Sequence, residues 1–146
     1  MHLMLRKREK RGGLGFTLVE LLVVIVVLAI LAAIVLPKFM DSSKRSREAA
    51  LKSDLKLLRN AVAVFKTDTN LYPLLLSDLA ATTAPAKGSD GVADQNITAS
   101  DWHGPYMQSI ANDPVSGAAF TYTKTTGVVT SSAAGTGLDG TAYSSW

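Results

Sequence analysis

Glu20 is the residue whose type and position could do chemistry most directly, because it is an acidic side chain inside a long apolar run. Residues 21–36 are all apolar, and extending the run back to Phe16 gives twenty-one residues interrupted only by Thr17 and Glu20. A carboxylate within a membrane helix costs free energy and usually has a partner or a purpose. No basic side chain follows Glu20 within one helical turn. The expected partner of Glu20 is therefore a positive charge from another part of the chain or from another molecule.

The chain offers little for catalysis. It has no cysteine, which excludes disulfides, thiolate metal sites and cysteine nucleophiles. His2 and His103 are isolated from each other, so neither a metal pair nor a general base with a nucleophile follows from their spacing. The glycines of segment 12–15 do not follow a strand, so they do not form a phosphate-binding loop. We expect no enzyme activity and no cofactor, and any use of ATP must reside in a partner.

The apolar run must form the element that positions Glu20. At a rise of about 1.5 Å per residue its twenty-one residues make a helix of roughly 31 Å, which is long enough to cross a bilayer. A secretory signal should end in a small-x-small cleavage site, and no Ala-x-Ala sequence occurs between Leu18 and Lys38. A plain membrane anchor would explain the topology and leave Glu20 unexplained.

The basic charge of the chain is concentrated before this helix. Residues 1–15 contain five Lys and Arg and one Glu, which gives them a net charge of +4. The rest of the chain contains ten basic and eleven acidic residues, which gives it −1 and the whole chain +3. A basic cluster ahead of an apolar run is typical of a cytoplasmic flank. Nucleic-acid binding is not expected, because it needs the cluster on the folded part.

The sequence Gly15-Phe16-Thr17-Leu18-Val19-Glu20-Leu21-Leu22 resembles the cleavage and methylation motif of type IV prepilins and type II secretion pseudopilins. The resemblance implies that a prepilin peptidase removes leader 1–15 by cutting between Gly15 and Phe16, and that the amine of Phe16 is then N-methylated. It also implies that Glu20 pairs with the N-terminal amine of a neighbouring subunit and so sets the axial register. The alternative is that Glu20 only complements the helix dipole.

A soluble, amphipathic helix is predicted after the membrane segment. Pro37 follows the apolar run, and we expect a kink or local melting there, as is common in the family. Leu51, Leu55, Leu58, Val62 and Phe65 are spaced four, three, four and three, which indicates one apolar face. The opposite face carries basic residues interrupted by Asp54 and Glu48, and we read it as solvated; the basic residues are Lys52, Lys56, Arg59 and Lys66.

We therefore predict one helix from Phe16 to about Asp68, divided into a membrane or filament-core segment 16–37 and an amphipathic continuation 38–68. A head, 69–146, follows. It should contain a short helical piece at 74–80, a surface loop at 81–100, and a hairpin formed by 120–124 and 128–131 around the turn 125–127. The fold class is α+β and pilin-like, with the long helix packed on a small antiparallel sheet.

Parts of the head resemble the major pseudopilin of type II secretion. The matching stretches are Tyr72-Pro73, the segment 102–106, and Asn112-Asp113-Pro114 with Gly117. Those pseudopilins carry a calcium-binding loop after the sheet, whereas this chain offers one carboxylate there, in Gly137-Leu138-Asp139-Gly140, with backbone carbonyls or Asp90 and Asp94 as further candidate ligands. Calcium takes six to eight oxygens, so we expect no site. The missing cysteines also depart from many type IVa pilins.

The resemblance implies a structural subunit that polymerises with itself into a type IV pilus-like filament, with a type II secretion pseudopilus favoured over a surface type IV pilus. It implies a prepilin peptidase and methyltransferase, an assembly ATPase, an inner-membrane platform protein, and minor pseudopilins or pilins as partners. The expected location is the bacterial inner membrane, crossed once with the head outside the cytoplasm, and then a periplasmic or extracellular filament. The alternative from another class is a monomeric anchored module that binds a ligand near Trp102 and Tyr106.

Overall fold

The computed structural model describes residues 15–146. The expected leader, residues 1–15, therefore lies outside the described residues except for Gly15. The described chain divides into two compact units, residues 15–40 and 41–146. Helix α1 spans Leu18–Thr69, within two residues of the predicted bounds, so the prediction of a single long helix is confirmed.

The part of α1 in the first unit is apolar and open to its surroundings. The exposed fractions of its large apolar side chains run from 44% at Val35 to 82% at Leu18. Among the described residues, α1 is the one helix long and apolar enough to cross a membrane. The helix includes position 37 without interruption, so the local melting considered at Pro37 is not observed, and the kink stays a prediction. Exposed apolar surface of this extent requires lipid or protein around it.

The part of α1 in the second unit provides one wall of the hydrophobic core. All five residues of the predicted apolar face are at most 3% exposed, and Ala61 joins them at 6%. They pack with buried residues from the rest of the head: Leu79, Phe120, Val129, Ala133 and Tyr143. The spacing read from the sequence therefore identified the helix face that holds the head.

The end of α1 follows from its last residues. The hydroxyl of Thr69 donates to the carbonyl oxygen of Phe65 at 2.8 Å. Asn70 adopts a left-handed backbone with φ of 57°, a conformation that asparagine tolerates and that commonly terminates helices. The chain turns there, as predicted, into strand β1, Tyr72–Pro73, and a short 3-10 helix, Leu76–Ala80.

The prediction that 81–100 forms a surface loop was wrong in part. The segment contains β2, Lys87–Ser89, and β3, Asp94–Asn96, and these form an antiparallel sheet of order β1-β2-β3. Asp90 closes the turn between them, because its Oδ1 accepts hydrogen bonds from the N–H groups of Val92 (2.8 Å) and Ala93 (2.7 Å). Strand propensity is low in Gly88 of β2 and in Asp94 and Asn96 of β3, but the Asp90-Gly91 pair was a hairpin signal.

The second hairpin was predicted correctly. Strands β4, Thr121–Thr123, and β5, Val128–Thr130, pair with Tyr122 opposite Val129. Gly127 has φ of +70°, and a Cβ at this position would lie 2.3 Å from the ring of Tyr72, so glycine is required. A short 3-10 helix, Tyr143–Ser145, ends the described chain.

Candidate functional site

The predicted cleavage site lies in exposed, non-helical chain. Residues 15–17 precede α1 and have no regular secondary structure. Phe16 is 85% exposed, and a Cβ added at Gly15 would meet nothing within 4 Å. A peptidase needs an accessible backbone that it can hold in its own active site. The bond between Gly15 and Phe16 meets that requirement.

Glu20 takes part in a capping box at the start of α1. Its Oε2 accepts hydrogen bonds from the backbone N–H of Thr17 at 2.8 Å and from the Thr17 hydroxyl at 2.9 Å. The N–H of Glu20 donates in return to the Thr17 hydroxyl oxygen at 3.2 Å. This reciprocal arrangement satisfies N–H groups that the first helical turn leaves unpaired.

The capping box was missed in the sequence, although the spacing of Thr17-Leu18-Val19-Glu20 is its signature. It adds a local role to the two considered for Glu20. Both residues follow the predicted cleavage point, so processing would leave the pair intact. Within residues 15–146, no Lys, Arg or His side chain forms an ion pair with Glu20, and its carboxylate has other lone pairs free to accept from a cation.

The aromatic stretch of the head is engaged in packing. The ring of Tyr106 lies edge-on to Phe65, with centroids 5.4 Å apart, and to Trp102 at 6.2 Å. The Tyr106 hydroxyl donates to Asp68 at 2.9 Å and accepts from the N–H of His103 at 3.1 Å. These contacts fasten the segment 102–106 to the end of α1, and they support a packing role over a ligand site.

Asp113 organises the loop on which the second pseudopilin-like stretch lies. Its side chain is 0% exposed. One carboxylate oxygen accepts from the N–H groups of Val115 (2.7 Å) and Ser116 (3.2 Å), and the other accepts from the Ser131 hydroxyl and the N–H of Ser132 (3.0 Å). Burial alone would raise the pKa of Asp113, but the hydrogen bond from Ser131 and those from the three N–H groups outweigh it, so the pKa is lowered.

Replacing Asp113 by Asn should destabilise the head by about 1–3 kcal/mol at neutral pH. Asparagine has one acceptor oxygen where aspartate has two, so a buried donor is left without an acceptor. The pKa of Asp113 is lower in the folded state than in the unfolded state. The stability that the ionised carboxylate contributes is therefore present above the unfolded-state pKa and is lost as the pH falls through the folded-state pKa. The wild-type chain should therefore lose more stability on acidification than the variant does. Thermal unfolding of each full chain in detergent between pH 7 and pH 3 measures the destabilisation at neutral pH and the loss of stability on acidification.

The exposed Asp101 provides the control for this change. An Asp101→Asn variant should melt like the wild type at neutral pH. Equal melting of the Asp113→Asn variant and the wild type would contradict the assigned role of Asp113.

The sequence suggested that the basic face of α1 is solvated, but several of its side chains contact the head. Lys52 lies 3.3 Å from Asp139, the Lys66 ammonium lies 3.6 Å from the ring centroid of Tyr72, and Arg59 donates to the carbonyl oxygen of Val129 at 2.8 Å. Glu48, read as an interruption of that face, is only 8% exposed. Lys44 also donates to the carbonyl oxygen of Thr136 and Asp68 accepts from Tyr106, so six charged side chains of the helix contact the rest of the head.

The residues that could hold calcium do not fit that ion. The carboxylate of Asp139 already accepts from the Thr141 hydroxyl at 2.6 Å and faces the ammonium of Lys52. Asp90 is used in the β2–β3 turn, and Asp94 is paired with Lys124 at 2.7 Å. In the described part of the chain, no group of three or more His, Cys, Asp or Glu side chains is arranged so that it could hold a metal ion. One engaged carboxylate falls short of the six to eight oxygens that calcium takes.

Two protein families match this chain, one at the start of α1 and one over the remainder. The family described as the prokaryotic N-terminal methylation motif matches residues 11–36, which include Gly15, Phe16 and Glu20. The family described as type II secretion system (T2SS), protein G, matches residues 38–144.

Curated relatives agree with the family matches. The chain is 37% identical to the type II secretion system core protein G of Aeromonas hydrophila over 106 residues, which are 68% of this chain and 74% of the relative. It is 30% identical to the protein of the same name in Pseudomonas aeruginosa, over 68% of this chain and 75% of the relative. With that of Escherichia coli it shares 39% identity over 59 residues, 40% of this chain and 41% of the relative. No solved structure matches significantly.

Proposed function

Because the chain belongs to the type II secretion system protein G family, we propose that it is processed by a prepilin peptidase, N-methylated and polymerised as the major subunit of a type II secretion pseudopilus. The match of the protein G family over residues 38–144 is the observation that carries this proposal. It covers the head, and the head is the part of the sequence whose resemblance favoured a pseudopilus over a surface pilus. The function is structural, and neither enzyme activity nor a cofactor is part of it.

Processing begins with the removal of the basic leader. Its five basic residues hold the N-terminus in the cytoplasm, and the exposed Gly15–Phe16 bond is then cut there. The methylation-motif match and the non-helical backbone of residues 15–17 support this step. The product starts with a methylated amine on Phe16, four residues before Glu20 and next to Thr17, the residue that caps α1.

Polymerisation replaces lipid by neighbouring subunits around the first half of α1. The apolar side chains of this half are exposed on the single chain, and lipid and protein solvate them about equally well. Extraction from the membrane can therefore be nearly balanced in free energy. Close packing, together with a Glu20 carboxylate paired with the amine of the next subunit, favours the filament and sets its register.

The family places the chain in a secretion-system assembly. In our proposal its partners are other copies of itself, the prepilin peptidase and methyltransferase, an assembly ATPase, an inner-membrane platform protein and minor pseudopilins. The chain waits in the inner membrane as a single-pass protein with the head outside the cytoplasm, and it ends in a periplasmic filament. No nucleic acid is involved.

Deleting the gene for this chain in its native host should stop export of the proteins that use the type II pathway and leave them in the periplasm. A plasmid copy should restore export, and the readout is the ratio of exported to periplasmic protein in each strain. Loss of surface filaments or twitching with normal export would instead identify a surface type IV pilin. Unchanged export in the deletion strain would contradict the proposal.

A further inference from the structure

The segment 135–146 is fastened to α1 by three charged side chains described below, and the exposed Lys44 adds a hydrogen bond from its Nζ to the carbonyl oxygen of Thr136 at 3.3 Å. Glu48, Lys52 and Arg59 lie within about 40° of one another around the axis at 100° per residue, so they form one stripe. Their contacts reach residues 70 to 95 positions further along the chain. The segment and this stripe are together called the clasp.

Glu48 provides the buried part of the clasp. Its Oε1 accepts a hydrogen bond from the N–H of Leu138 at 2.9 Å and another from the hydroxyl of Tyr143 at 2.9 Å. Tyr143 is itself only 3% exposed and belongs to the hydrophobic core. A buried carboxylate that accepts two donors fixes the backbone at 138 and the ring at 143 at once.

Lys52 provides the positive charge. Its Nζ lies 3.3 Å from Oδ2 of Asp139 and 4.1 Å from the ring centroid of Trp146. The Trp146 ring packs edge-on against Tyr143, with centroids 5.0 Å apart, and its indole N–H donates to the hydroxyl of Thr141. One ammonium thus contacts both the only carboxylate of the segment and one of its aromatic rings.

Arg59 closes the other end of the clasp. Its Nε and Nη2 donate to the carbonyl oxygen of Val129 at 3.1 and 2.8 Å, and Nη2 also donates to the backbone oxygen of Trp146. Strand β5 and the segment 135–146 are therefore held by the same guanidinium. The planar fork of arginine suits such shared acceptors.

We propose that this clasp does the work that a bound divalent cation would do at the same place, so that the segment 135–146 stays docked with or without calcium. The ammonium of Lys52 neutralises the one side-chain carboxylate of the segment, Glu48 accepts from the N–H of Leu138, and Arg59 donates to the backbone oxygen of Trp146. Among the described residues, Asp139 is not joined by two further His, Cys, Asp or Glu side chains that could hold a metal ion with it. This docking takes place within one subunit and does not depend on polymerisation.

Hydrogen exchange of the full-length chain in detergent micelles, read by mass spectrometry on a peptide that covers 135–146, tests the proposal. Exchange should be the same in excess EDTA and in millimolar calcium chloride, and the thermal midpoint should not move. Calcium at about a hundredfold excess over the dissociation constant of a site would raise the midpoint by roughly 10 °C or more for a domain of this size. A rise of that kind, or slower exchange in calcium, would overturn the proposal.

A matched pair at Glu48 tests the clasp itself. Glu48→Ala leaves the donors of Leu138 and Tyr143 without an acceptor, and exchange of the 135–146 peptide should accelerate at least about tenfold. Glu48→Gln keeps an acceptor oxygen and should stay close to the wild type. Wild-type exchange in the Glu48→Ala chain would show that the segment is held by other contacts and would overturn the proposal.

Discussion

Replacing Glu20 by Gln is expected to leave the chain in the membrane and to reduce filament assembly at least about tenfold, because a charge in a dry helix bundle loses its partner. The structure makes Gln the informative substitution. Glu20 caps α1 through Thr17, and Gln serves equally well in a capping box. The helix start is therefore retained while the charge is removed, which separates the register role from the local one.

The assembly of this variant can be measured as the fraction of subunit that sediments as sheared filaments, alongside export of the secreted proteins. Glu20→Asp is the control, since it keeps the charge on a side chain one methylene shorter and should retain most of the assembly. Membrane insertion should be equal in all three chains. Filaments formed by Glu20→Gln at the wild-type level would rule out the amine pairing and leave capping as the role of Glu20.

Replacing Gly15 by Leu should block removal of the leader, and we expect nearly all of the chain to remain as the longer precursor. A side chain at this position meets nothing within 4 Å, so the effect would arise in the peptidase site and not in the fold. The uncut chain keeps five basic residues that hold its N-terminus at the cytoplasmic face. It also has no free amine on Phe16 to pair with Glu20.

Precursor and product of the Gly15→Leu chain differ by the leader and can be separated by electrophoresis and immunoblotting. Gly13→Leu, two residues further from the bond, is the control and should be cut. Efficient cleavage of the Gly15→Leu chain would place the processing site elsewhere.

Elements defined by local pattern were predictable from the sequence. The apolar run and the spacing of Leu51 to Phe65 gave α1 and its buried face, and the alternation around Tyr122 gave the β4–β5 hairpin. The β2–β3 hairpin was missed because its strands contain Gly88, Asp94 and Asn96, whose strand propensity is low. The Asp90 side chain accepts two N–H groups in the turn that joins the strands.

The charged contacts of the head could not be read from spacing. Glu48 and Tyr143 are 95 positions apart, and Arg59 and Val129 are 70 apart, so their pairing depends on how the chain returns to α1. The sequence showed Asp113 only as part of a loop, and its four hydrogen-bond donors were recognised from the structure. The processing residues Gly15, Phe16 and Glu20 were identified by their order in a motif, and they stay a prediction until cleavage is observed.

Mass spectrometry of the chain isolated from membranes of its native host determines whether it is processed as a prepilin. We expect the chain to start at Phe16 and to carry one additional methyl group on its amine. An intact leader in a cell with an active prepilin peptidase would contradict this expectation and would favour an anchored protein that does not polymerise.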